Sequence, residues 1–421
     1  MNSRYSVLAS ALAATMVAVP AHAIQFDGFL TVGAATHDDE NNNVYIGSLG
    51  DRGITENVTF ETDTRFGLQI SSDIADNASV VAQILGKGTN SNFNAVVEWA
   101  YVDYEFNKYI SLRAGKVKQP VYLVNDYVEV GYAYPWIRPP VEVYYLNNPL
   151  NTINGAELLL SFPIGKGQLS FQPYVGSNRD DIPNSNGTGY FEAEGLLGID
   201  IKYAAPGFLI HGSSFHCREV NTFGGLTDVP TKFGFNVDVD LNGQGKCDVD
   251  SVGLNLDLSN VVVYAEWQQR MTSDTLARPF GDTEAWYTTF GYRIGKWLPH
   301  ITYATIKGEA SQHNPGAVSC ALSTPGPGCV TPLGTVPGGT PLFNFPVQLQ
   351  SSVTAGLRYE VNDSAALKFE YSLVDVETAP DKLAESGNPF GINYGLFDTS
   401  FTGTSPSKKV GVTSIALDVI F

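Results

Sequence analysis

SSVTAGLRYEVNDSAALKFEYSLVDVE, Ser351 to Glu377, consists of two alternating runs joined by a tight Asn362-Asp363 turn. In the first run Val353, Ala355, Leu357 and Tyr359 share one face, and Thr354, Gly356, Arg358 and Glu360 the other. In the second, Leu367, Phe369, Tyr371 and Leu373 oppose Lys368, Glu370 and Ser372. A period of two marks a strand with unlike faces, and a polar turn between two such runs makes a hairpin. A half-buried soluble sheet alternates in the same way, so the class is decided by how often the pattern recurs and how the runs are joined.

It recurs along the whole chain. Sixteen candidate strands fall at 24–35, 59–71, 79–88, 94–106, 109–116, 153–162, 168–176, 195–205, 208–220, 249–258, 261–271, 284–294, 297–308, 351–361, 364–377 and 408–421. Within 59–71 the alternation places Glu61, Asp63 and Arg65 on one face against Phe60, Phe66 and Leu68. Within 94–106, Glu98 and Asp103 fall on opposite faces unless a bulge intervenes. Connections alternate between short turns, such as Asp76-Asn77, Pro206-Gly207 and Ser259-Asn260, and long polar loops. A soluble sandwich has no reason to sort its loops by parity. A transmembrane antiparallel up-and-down β-barrel does, with tight turns on one rim and long loops on the other.

The amino terminus fits an exported chain. Arg4, the apolar Val7 to Val19 and the small-x-small Ala21-His22-Ala23 read as a cleaved signal peptide, and Pro20 cuts the apolar run short of a spanning helix. The expected organisation is a signal peptide over 1–23 and a β-barrel over 24–421. A net charge of −18 speaks against nucleic acid as a partner. Four cysteines fit an oxidising compartment, and of the three pairings they allow, Cys217–Cys247 with Cys320–Cys329 is the simplest.

The last run ends at Phe421, with Val419, Leu417 and Ile415 on its face and Asp418, Ala416 and Ser414 opposite. An alternating strand closed by an aromatic residue resembles the assembly signal of Gram-negative outer-membrane proteins. With the signal peptide and the sixteen-strand layout, the chain resembles the Gram-negative porin superfamily over nearly its whole length. LRAGKVKQP, Leu112 to Pro120, is similar to the corresponding strand end in several porin subfamilies, including phosphate-selective ones. The PEFGG-like segment of enterobacterial general porins is missing, which leaves the subfamily open. The resemblance implies a non-enzymatic homotrimer in the outer membrane. Its implied partners are the lipid bilayer, lipopolysaccharide, the insertion machinery and small solutes. It also implies that the loop after the fifth strand folds inward and narrows the pore.

That loop is the aromatic, proline-broken stretch 117–152. Its candidate constriction residues are Asp126, Glu129, Arg138, Glu142, Tyr132 and Trp136. The expected pore wall is Arg65, Arg113, Arg293 and Arg358 with Glu61 and Asp63. Acid on the loop facing arginine on the wall would set a transverse field across the narrowest water. The expected activity is passive diffusion of small hydrophilic solutes or ions with a weak cation preference, since inward Glu157, Asp200, Glu266 and Glu370 add negative charge. The alternatives are a channel specific for a sugar, phosphate or other anion, with the loop aromatics as a stacking track, or a barrel hydrolase built around His211 and its neighbouring serines. No cofactor is required. Asp238, Asp240 and Asn242, with Asp248 and Asp250 beyond, fit part of a calcium-binding loop on an extracellular connection, but its twelfth position is Val249 rather than Glu. An acidic turn with no ion is the other reading of that stretch.

Overall fold

A computed structural model describes residues 24–39, 43–46, 52–89, 92–144, 151–181, 190–223, 225–230, 236–240, 243–273, 282–308, 328–331, 334–337, 349–376, 397–398 and 409–421. The expected signal peptide lies outside the described residues. Sixteen strands form the closed barrel. In chain order they are β1 Gln25–His37, β2 Arg65–Ala75, β3 Ala78–Thr89, β4 Asn92–Asn107, β5 Ile110–Lys118, β6 Thr152–Ile164, β7 Gly167–Asp181 and β8 Tyr190–Ala205. There follow β9 Phe208–Phe223, β10 Gly243–Leu258, β11 Val261–Thr272, β12 Thr283–Tyr292, β13 Trp297–Gly308, β14 Leu349–Asn362, β15 Ala365–Val376 and β16 Lys409–Ile420. Every strand pairs antiparallel with its sequence neighbours, and β16 pairs with β1 from Phe29 opposite Ile420 to His37 opposite Val412. Phe421 continues that seam, exchanging backbone hydrogen bonds of 2.8 and 2.9 Å with Gly28. Closure leaves the barrel itself without an edge strand to pair with another chain.

The surface is inverted relative to a soluble sheet. Val353, Phe369, Tyr371, Leu373, Ile415 and Leu417 are exposed on the outside, whereas Lys368, Glu370, Ser414 and Asp418 are buried inside. Beside the tight turns the outer face carries Tyr104, Phe106, Tyr109, Phe162 and Trp297, and toward the other rim Trp286 stacks obliquely on Tyr303 with centroids 5.2 Å apart. An apolar band between two aromatic girdles is the outer surface that a bilayer requires.

One sequence expectation changes in detail, and the bulge that the charges of 94–106 required is present. The second strand begins at Arg65, not Thr59: Thr59 makes a single bridge to Ala35, and residues 61–63 turn. Glu61 and Asp63 therefore belong to the entry loop and not to the barrel wall. The register between β3 and β4 slips between Gln83 and Ile84, whose partners are Trp99 and Val97, so Glu98 is the extra residue of a bulge. That bulge turns Glu98 to the same side as Asp103, as the charges demand.

Cys217 and Cys247, directly opposite across β9 and β10, form the disulfide of the simplest pairing. Cys320 and the Cys329 side chain lie outside the described residues. Of the calcium-loop pattern, only the part from Gly243 onward has described side chains. That part is the extended strand β10, and Asp248 turns outward to His216 at 2.7 Å. An ion-wrapping loop needs its later ligands to curl back over the earlier ones, which a paired strand prevents. The side chains of Asp238, Asp240 and Asn242 lie outside the described residues.

Candidate functional site: a loop folded into the barrel

Between β5 and β6 the chain leaves the wall and enters the lumen. Prolines at 120, 135, 139 and 140 and a 4-residue helical turn, Val141–Tyr144, keep it irregular. An irregular backbone inside a barrel must find partners for its peptide groups, and here the wall supplies them.

The first limb docks on β9 and β11. The Ser213 hydroxyl donates to the Val121 carbonyl at 2.7 Å, and Gln268 donates to the Tyr122 hydroxyl at 3.0 Å. Glu266 accepts from the Leu123 amide at 2.9 Å and from the Tyr144 hydroxyl at 2.6 Å, so one buried carboxylate holds both limbs of the loop. Ser251 and Tyr287 also donate to it, at 3.1 and 3.3 Å.

The tip crosses to β2 and β14–β16. Arg65 donates to the carbonyls of Glu129 and Ile137 and to the Tyr134 hydroxyl, at 2.9, 3.3 and 2.7 Å. Arg358 donates to the carbonyls of Tyr132 and Tyr134 at 2.6 and 2.8 Å, and Lys368 to those of Gly131 and Trp136, both at 2.5 Å. Arg138 pairs with Asp63 at 3.2 Å and donates to Ser414, and Lys368 pairs with Asp418 at 2.9 Å. Gly131 makes this approach feasible: a Cβ there would lie 2.2 Å from the Asp418 carboxylate. Arg65 and Lys368, 1% and 0% exposed, are thus clamps on loop carbonyls and not a charged face on open water.

The loop aromatics pack. The Trp136 indole donates to Thr289 and Thr302, at 3.0 and 3.1 Å, and its ring meets Tyr264 and Tyr287 edge-on at 4.7 and 5.6 Å. Tyr122, Tyr134, Trp136 and Tyr144 are all buried. A stacking track needs open ring faces, and these four have none. Tyr132 is half-buried under the Arg358 guanidinium, 4.8 Å from its ring centroid. Among the described residues Glu142 forms no ion pair with an arginine; it accepts from the Gln350 amide at 2.8 Å, and burial pushes its carboxyl above the usual range. A small recess of about 50 Å³ lies beside this limb, lined by Arg138, Glu142, Ser352, Glu370 and Ser372 and bounded by Trp136.

On the other side solvent reaches part of the charge. Asp103, Arg113 and Glu157 stand directly opposite one another on β4, β5 and β6, with Arg113 2.9 Å from Asp103 and 3.2 Å from Glu157. The Arg113 side chain keeps 31% of its surface exposed. From the loop, Asp126, 52% exposed, reaches Lys202 on β8 at 3.0 Å, and Lys202 also lies 3.4 Å from Asp200. Lys202 escaped the sequence reading because its partner is 76 residues away and only the barrel's register joins them. Arg293, expected in the wall, lies beyond the end of β12 and pairs with Asp257 at 2.6 Å beside the β10–β11 turn.

Asp200, His211 and Ser251 form a relay-like chain on adjacent strands. His211 lies 2.6 Å from Asp200 and 3.4 Å from the Ser251 hydroxyl. Ser251 is 1% exposed and donates to Glu266, so its oxygen faces a structural acceptor and not a substrate. Among the described residues no group of three or more His, Cys, Asp or Glu side chains converges on a metal-sized site.

The sequence matches no protein-family model and no curated protein. The structure does find likenesses among solved proteins. OmpT of Vibrio cholerae superposes with a TM-score of 0.53 at 10% identity, over 94% of this chain and 97% of that one. An anion-selective porin from Comamonas acidovorans gives 0.51 at 11% identity, over 95% and 99%. Salmonella typhi OmpF, in complex with daunomycin, gives 0.50 at 13% identity, over 95% and 98%. Such identities speak for architecture alone. The chain is a sixteen-stranded closed barrel of the outer-membrane porin fold.

Proposed function

We propose that this protein is an outer-membrane porin. It passes small hydrophilic solutes and ions by diffusion through a water path between the inward loop and the β4–β8 wall. One observation carries this reading: the loop's contacts to β2 and β14–β16 are buried, while Arg113 on β5 and the loop's Asp126 keep 31% and 52% of their side chains exposed, with Asp103 and Lys202 partly exposed beside them. A path of that kind discriminates by size and charge, as rings of charged side chains do in channels.

The same charges favour cations weakly. Along the path Asp103 and Asp126, with Glu157 and Asp200 buried behind them, stand against Arg113 and Lys202, and each of those two cations is held between two carboxylates. Acids in excess raise the local concentration of cations.

Folded barrel added to a planar lipid bilayer should give discrete conductance steps in KCl, with a reversal potential on the cation side in a salt gradient. A preparation verified as folded that gives no steps overturns the channel reading.

A further inference from the structure

We propose that Lys202 is a tethered counter-ion that sets the charge selectivity of the path. This rests on the channel reading above. The ammonium bridges a carboxylate of the loop, Asp126 at 3.0 Å, and one of the wall, Asp200 at 3.4 Å. Asp200 is almost fully buried and shared with His211 on its other side at 2.6 Å, so it is held in place. Asp126 stands in solvent on the loop, and Lys202 is partly exposed between the two. A lysine is a point charge on a flexible stem, able to keep its place or swing into the lumen without moving backbone.

The clamps elsewhere on the loop lack this freedom. Arg65, Arg358 and Lys368 are buried and each holds two or more loop groups. Arg113 is open to solvent but is fixed by hydrogen-bonded carboxylates on both neighbouring strands. Lys202 is therefore the cation that screens Asp126 most directly from a passing ion, with Arg113 and Lys118 acting on that carboxylate from farther away, and the one whose removal most uncovers it. Its residue type, more than the number of arginines in the wall, decides how strongly the path prefers cations.

The test is the reversal potential of single channels in a KCl gradient, for the wild type and for Lys202→Met, Lys202→Arg and Asp126→Asn. A unit charge within a Debye length of the ion's route, in water, changes the cation-to-anion permeability ratio roughly two- to fourfold. Lys202→Met should raise that ratio by such a factor, Lys202→Arg should leave it near the wild-type value, and Asp126→Asn should lower it. Lys202→Met with an unshifted or anion-ward reversal potential overturns the inference. So does Lys202→Arg behaving like Lys202→Met, because charge is then not the variable. If Lys202→Met does not fold, Asp126→Asn still decides: an unchanged ratio in that variant refutes the screening pair. Loss of all conductance steps in the wild type refutes the channel reading, and this inference falls with it.

Discussion

Replacing Glu266 with alanine removes the carboxylate that joins the two limbs of the loop. Four donors point at it: the Leu123 amide, the hydroxyls of Tyr144 and Tyr287, and Ser251. A buried donor left without an acceptor costs about 1–3 kcal/mol. Two of the four belong to the loop, so docking should weaken by about 2–6 kcal/mol, less whatever an entering water restores. The barrel ladder contains none of these side-chain bonds and should survive. At the low end of that range the undocked population rises about 30-fold. Undocking exposes the chymotrypsin sites at Tyr122, Tyr127, Tyr132 and Trp136. Folded Glu266→Ala protein should thus be cut within the loop under conditions that leave the wild type whole, and its open channel should flicker. Glu266→Gln, which keeps one carbonyl oxygen, should fall between. If Glu266→Ala resists the protease as well as the wild type does, the carboxylate does not hold the loop.

Two further perturbations address the same loop. Gly131→Ala places a methyl carbon against Asp418, and with Thr31 bonded to the same carboxylate at 2.6 Å there is little room to yield. Overpacking of this kind costs about 1–3 kcal/mol, so a smaller rise in loop cleavage than for Glu266→Ala is expected in protein that still migrates as a folded barrel. Glu142 adds a pH dependence. Burial raises its carboxyl in the docked loop above the value it has when free, so the docked state holds the proton more tightly. Docking is strongest below the ordinary carboxylate range and weakens as pH rises through it toward the raised value. Open-channel noise should grow over that interval in the wild type and stay flat in Glu142→Gln.

The alternating runs that became β14, β15 and β16 were legible because burial inside a barrel and exposure to lipid impose one residue type on each face. The bulge at Glu98 was legible for the same reason, since two charges on one strand must both avoid lipid. The false start at Thr59 shows the limit of the pattern: TFETDT alternates, yet a turn at 61–63 bends it off the wall. Partners inside the lumen were hidden. Arg65, Arg113 and Arg358 look alike in sequence, but the closed register makes the first and third clamps on carbonyls and the second a rung between Asp103 and Glu157. Glu266 looked like one more inward acid and proves to be the fastening of both limbs.

In the proposed channel water passes between the loop and the β4–β8 wall while the opposite side of the loop is sealed against the barrel. Tyr101, half-buried on β4 beside Arg113, faces that path, and Thr289, fully buried under the Trp136 indole, faces the sealed side. Single channels carrying Tyr101→Cys or Thr289→Cys, exposed to a charged methanethiosulfonate with the wild type as control, give the most direct test. A stepwise fall in conductance for position 101 and none for position 289 is predicted; block through position 289 with none at 101 would contradict the placement of the pore.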